Sequence, residues 1–233
     1  MKIAILGGSF NPLHIGHVML SDTMIKEYKY DRVIFIPTCI PPHKEIVCDK
    51  DGIKKPTSIQ RYEMVKSFCD SENKNGNNYF AVEDCEIKRG GVSYTSDTLK
   101  YITQKYKNEI DGKVSLLMGE EIASEFHLWH EVDTIVSLAD LVIVPRSPDY
   151  KKDSVKGMNV PTGDYKGDFS VSFNKEKFGY PFTMLKEGIL RVSSTDIRDR
   201  ILKGKSYKYL VPQSVFEYIE NNKLYRKEDD WLH

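Results

Sequence analysis

The sequence predicts an α/β fold: a doubly wound, mostly parallel sheet with helices on both faces and a small helical C-terminal part. Three observations carry this expectation. Short β-rich apolar runs alternate with amphipathic helical stretches from residue 2 to residue 146. The apolar runs are continuous, the pattern of strands buried on both faces. The chain has 233 residues, 40% apolar and 29% charged, an ordinary globular composition long enough to bury a core without staples.

The elements follow in order. Residues 2–6 read as a buried strand and 16–28 as a helix. RVIFIP at 32–37 is a second strand, followed by a helix over TSIQRYEMVKSFC at 57–69. YFAVEDCEI at 79–87 reads as a strand, and a helix runs from Ser96 to Lys107. KVSLLMG at 113–119 is the next strand, helices lie within 120–138, and DLVIVPR at 140–146 closes the alternating part. Residues 147–186 break the rhythm: they are rich in Lys, Asp, Gly, Tyr and Pro, and read as an exposed insertion, with a functional lid as the alternative. GILRV at 188–192 reads as a strand. VSSTDIRDRILKG then opens a helix that ends at Gly204, where glycine suits a left-handed cap. In the last helix Val215, Phe216 and Ile219 share an apolar face, as packing requires. A single domain over 1–233 is expected, with 193–233 as its helical C-terminal part.

Composition excludes several classes. Formal net charge is zero, so no overall field favours nucleic acid or an anionic membrane, and no basic stripe with interleaved aromatics is present. No apolar run approaches the roughly 20 residues of a membrane span. The N-terminal apolar stretch is too short for a secretory signal. Cys39, Cys48, Cys69 and Cys85 form no C-x-x-C pair and are expected as reduced thiols in the cytoplasm.

The chemistry concentrates in GGSFNPLHIGH at 7–17, directly after the first strand. Gly7 and Gly8 let backbone amides approach a ligand where a Cβ would clash. With the N-terminus of the following helix, those amides make an anion site. His14 and His17, three apart, share a helix face and can each donate to a phosphate oxygen. The pattern is neither a P-loop nor the G-x-G-x-x-G dinucleotide fingerprint. A zinc site needs further ligands, and His43 is the only nearby candidate, so no metal site is expected. Alone, the turn supports an anion-binding site and no more.

GGSFNPLHIGH resembles the G-x-F-[DN]-P-x-H-x-G-H signature of the nucleotidylyltransferase superfamily, and VSSTDIR at 192–198 resembles its second signature, I-S-S-T-x-[IV]-R. Physically, Ser193 to Thr195 supply N-cap hydroxyls. Arg198 near a helix start opposes the macrodipole by ~0.3–1 kcal/mol, a penalty that a bound anion or the neighbouring Asp196 would offset. PTCIPPHK at 37–44, RGGVSYTSDTL at 89–99, LLMGEEIASEFHLWHEVDTI and the terminal YLVPQSVFEYIENNKLY are similar to elements of bacterial nicotinate mononucleotide adenylyltransferases. The resemblance spans nearly the whole chain except 147–186.

That resemblance implies a Rossmann-like fold and adenylyl transfer from ATP, accompanied by Mg2+, to nicotinate mononucleotide, with no tightly bound organic cofactor. It assigns Gly7, Gly8, Ser9, Phe10, His14, His17, Gly119, Glu121, Ser193, Ser194, Thr195 and Arg198 to ATP, with His17, His14 and Arg198 catalytic. Lys44, Ser93, Tyr94, Thr95 and Trp129 fall to the mononucleotide. Trp129 can stack on the pyridinium ring, although beside Phe126 and Leu128 it also reads as core. Where the family has aspartate after the fourth strand, this chain has Glu121, one methylene longer. Dual nicotinate and nicotinamide use, phosphopantetheine adenylylation and a non-catalytic nucleotide sensor are the alternatives. Whether copies of the chain associate into a homo-oligomer stays open.

Overall fold

The computed structural model describes residues 1–40, 53–145, 173–186, 190 and 192–227. Six strands form one sheet: β1 (Ile3–Gly8), β2 (Arg32–Pro37), β3 (Phe80–Val82), β4 (Val114–Gly119), β5 (Ala139–Val144) and β6 (Phe182–Met184). Their order is β3-β2-β1-β4-β5-β6, with every pairing parallel. The order reverses between β1 and β4, so a crevice opens there, beyond the carboxyl ends of the strands.

Continuous apolar strands bury both faces, and each face has its own core. Leu6, Phe35, Leu117 and Val142 pack against α1 (Ile15–Lys26), α2 (Ser58–Glu72), α7 (Ser194–Leu202) and α8 (Gln213–Asn221). The alternate residues Ile5, Ile34, Leu116 and Ile143 face α4 (Thr95–Lys105), α5 (Glu120–Ser124) and α6 (Val132–Leu138). The period of two along each strand thus divides one apolar run between two cores. Gly204 takes φ +63 just beyond α7, where a left-handed cap is expected.

Two expectations are corrected. The stretch at 79–87 is not one strand: the ladder ends as the Glu83 amide donates to Phe35 O (3.0 Å), and α3 (Cys85–Arg89) begins. The i,i+4 ion pair of Asp84 and Lys88 (3.0 Å) and the buried Glu86 favour a helical turn there. The described residues at 188–192, Leu190 and Val192, lie in no strand, and Leu190 is 48% exposed. The sixth strand is instead Phe182–Met184, paired from Leu141↔Phe182 to Ile143↔Met184. Phe182 packs on Phe173 and Phe178, which anchors this strand beside β5. The described end of 147–186 therefore extends the sheet, and β5 does not close it.

Candidate active site

The turn after β1 lies at the switch point. Gly8 pairs with Pro37 in register, the Thr38 amide donates to Gly8 O (3.0 Å), and Gly119 ends β4 alongside. Space beside Gly7 and Gly119 is open, so a ligand can approach both backbones. Gly8 suits its place for another reason: a Cβ there would press to 3.3 Å from the Phe10 ring, a tight contact. Phe10 sits in the left-handed region at φ +43 with its ring 1% exposed, packed 5.7 Å from Phe35. Its ring belongs to the core, which leaves its backbone for a ligand.

His14 is the N-cap of α1 and His17 the third residue of the helix. Their rings stack at 3.8 Å, and the Phe10 edge meets His17 at 5.1 Å. The His14 amide donates to His17 Nδ1 (3.3 Å), which therefore accepts and leaves the proton on Nε2. Burial pushes His14 down to about 4; burial, then the neighbouring His14, holds His17 well below the usual imidazole range. Both rings are neutral at pH 7. Gly16 is fitted between them and the chain entering α7, because a Cβ would lie 3.0 Å from Leu190 O and 3.2 Å from the His14 ring.

The second signature closes on this turn. Ser193 caps α7, accepting from the amides of Thr195 (3.1 Å) and Asp196 (3.3 Å). Only Ser193 caps: Ser194 Oγ donates to Pro12 O (3.0 Å), and Thr195 Oγ1 accepts from Arg198 (3.1 Å). Arg198 also donates to Asn11 O (2.7 Å). Asp196 is paired with Arg200 at 3.0 Å.

On the other side of the crevice Thr95 is the first residue of α4, and Tyr94, its N-cap, tilts against His130 at 4.5 Å. Trp129 is half-buried, 5.3 Å from Phe126, with part of its surface left for contact. Ser93 is 6% exposed and its hydroxyl accepts from the Cys39 amide (3.1 Å), so it holds the wall together. Glu121 is exposed in the first turn of α5. Lys44 and His43 lie outside the described residues. A groove of about 730 Å³ lies at the opposite, amino-terminal end of the strands, between Lys2, Tyr30 and Asp140, and none of the predicted site residues lines it.

Sequence reasoning missed two residues. Arg61, on the first turn of α2, is 1% exposed and donates to Ser9 O (2.6 Å), Thr38 O (2.7 Å) and Cys39 O (3.2 Å). Tyr225, fully buried after α8, donates to Asn11 Oδ1 (2.8 Å). A lone Arg in an amphipathic helix and a Tyr near the chain end carry no local signal for either role.

An all-parallel sheet with a glycine turn, a helix N-terminus and paired neutral histidines at its switch point defines an α/β nucleotide-binding protein. Comparison with known proteins agrees. The cytidylyltransferase-like family matches residues 5–200. A protein of Treponema pallidum (strain Nichols) named "Probable nicotinate-nucleotide adenylyltransferase" is 35% identical over 97% of this chain and 100% of its own length. One of the same name from Borrelia garinii subsp. bavariensis is 36% identical over 98% of this chain and 96% of that relative. The solved nicotinic acid mononucleotide adenylyltransferase of Plasmodium falciparum, complexed with NaAD, superposes with a TM-score of 0.65 over 96% of this chain and 97% of that one; at 17% identity this shows the shared fold. The chain belongs to the cytidylyltransferase-like family and, within it, to the nicotinate-nucleotide adenylyltransferases.

Proposed function

We propose that this chain transfers the adenylyl group of ATP to nicotinate mononucleotide, giving nicotinate adenine dinucleotide and pyrophosphate. One observation carries the reading: the two signatures, about 180 residues apart, meet at a single turn, where Arg198 and Ser194 hold Asn11 O and Pro12 O in the loop that leads to the stacked histidines. The relatives' shared name supplies the acceptor class.

The attacking oxygen belongs to the mononucleotide phosphate, a monoester with a second pKa near ~6 that is largely dianionic at pH 7. It needs no general base. A bond forms from that oxygen to the α-phosphorus, and the α–β bridging bond breaks as pyrophosphate leaves with the electron pair. The chain's work is positioning and charge stabilisation. Open backbone at Gly7 and the α1 N-terminus take the triphosphate, which arrives as its Mg2+ complex. His17 Nε2–H donates to the phosphoryl oxygens as charge shifts, with His14 beside it and Arg198 on the leaving side. Glu121 addresses the ATP ribose; Lys44, Tyr94, Thr95 and Trp129 address the mononucleotide, the amides at the α4 N-terminus meeting its carboxylate.

The test is pyrophosphate release from ATP with each of nicotinate mononucleotide, nicotinamide mononucleotide and phosphopantetheine. Turnover with the nicotinate substrate at ten or more times the rate of the others supports the reading. Equal rates with the two pyridine nucleotides show dual specificity, preference for phosphopantetheine moves the acceptor, and no release from any acceptor leaves a nucleotide sensor.

A further inference from the structure

Arg61 places a cation where no solvent reaches it. The capping box of Thr57 and Gln60, with reciprocal bonds of 3.1 and 3.0 Å, starts α2 so that the first turn delivers this side chain behind the crevice. Its acceptors are carbonyl oxygens from two separate loops: Ser9 follows β1, and Thr38 and Cys39 follow β2. The link continues, because the Cys39 amide donates to Ser93 Oγ (3.1 Å) and the Ser93 amide to Ile40 O (2.9 Å). Tyr94 and Thr95 follow Ser93 directly. One guanidinium therefore ties the turn that bears the histidines to the wall that bears the acceptor-side residues.

A buried cation is costly to desolvate, and the three carbonyls that Arg61 satisfies offset part of that cost. A planar fork with five donors has another property: it fixes the separation of several carbonyls at once, which a point-charge ammonium cannot do. In a two-substrate in-line displacement, that separation sets whether the attacking oxygen reaches the α-phosphorus.

We propose that Arg61 is a positioning residue for the transfer, holding the ATP turn and the acceptor wall at the distance the reaction needs while touching neither substrate. This rests on the adenylyl-transfer reading, and turnover by the wild-type enzyme checks that reading separately.

The experiment compares wild type with Arg61→Lys, which keeps the charge and loses the fork, and Arg61→Gln, which keeps two donors without the charge. Circular dichroism and thermal melts establish folding. Steady-state kinetics give kcat and both KM values, and calorimetry gives Kd for a non-hydrolysable ATP analogue, the mononucleotide and the dinucleotide product. The expected result for a folded variant is a kcat lowered at least thirtyfold, with each separate substrate bound within threefold of wild type. The dinucleotide, which spans both loops, should bind at least tenfold more weakly. A folded variant with wild-type kcat and a lowered Tm overturns the proposal, as does a loss confined to one substrate's KM. If both variants fail to fold, Arg61 is structural and the proposal is likewise overturned.

Discussion

His17→Ala tests the centre of the mechanism. In the folded chain the ring is held by the His14 stack at 3.8 Å, the Phe10 edge at 5.1 Å and the His14 amide on Nδ1 at 3.3 Å. Three contacts fix its plane and put the proton on Nε2, so little reorganisation is needed when charge develops on the phosphoryl oxygens. Loss of one such preorganised donor costs about 10²–10³ in kcat, or about 2.7–4 kcal/mol. The truncation also strips the His14 amide of its acceptor, for about 1 kcal/mol of stability. With both substrates saturating, coupled pyrophosphate detection should show kcat down by that factor. KM for nicotinate mononucleotide should stay within threefold, because its assigned contacts at Tyr94, Thr95 and Trp129 lie on other elements. Since burial keeps His17 neutral, wild-type kcat should be flat from pH 6.5 to 8. A variant kcat within threefold of wild type would refute the donor role, and a wild-type kcat falling tenfold per unit across that range would refute the neutral donor.

Three other outcomes follow from the same geometry. His14 has a folded pKa of about 4 against 6.5 unfolded, so its contribution is full above pH 6.5 and lost as pH falls toward 4; in urea melts His14→Asn should remove about 3 kcal/mol of the pH-dependent loss, and the part that remains belongs to His17, which burial holds down in the same way. Tyr225→Phe deletes the donor to Asn11 Oδ1 and should lower stability by about 0.5–1.5 kcal/mol in urea melts, with kcat reduced because the signature turn loosens. Trp129→Ala should raise KM for the mononucleotide by about 2- to 30-fold, the equivalent of a cation–π contact of ~0.5–2 kcal/mol, while KM for ATP changes less than twofold.

The alternation of runs and helices was legible because strand and helix periods are local properties, and β1, β2, β4 and β5 lie within a residue or two of their expected bounds. The errors fell where local signals compete. YFAVEDCEI contains a strand and a helix start, and Asp84 with Lys88 tips the second half into a turn of helix. GILRV and PFTM are both short apolar runs, and the pairing of Phe182–Met184 with β5 is a long-range contact, supported by the rings of Phe173 and Phe178 against Phe182, that neither run announces.

By itself the sequence determined the glycine turn, the spacing of His14 and His17 and a hydroxyl cap within Ser193 to Thr195, since each depends on neighbours within a few residues, and it determined the order of the two signatures. The tertiary structure alone decided that Arg198 and Ser194 reach back to Asn11 and Pro12, that Tyr225 reaches Asn11 from the other end of the chain, and that Arg61 joins two loops. It also gave the histidines their neutral state, which is set by burial. These are long-range contacts and desolvation, properties of the packed chain that no local pattern encodes.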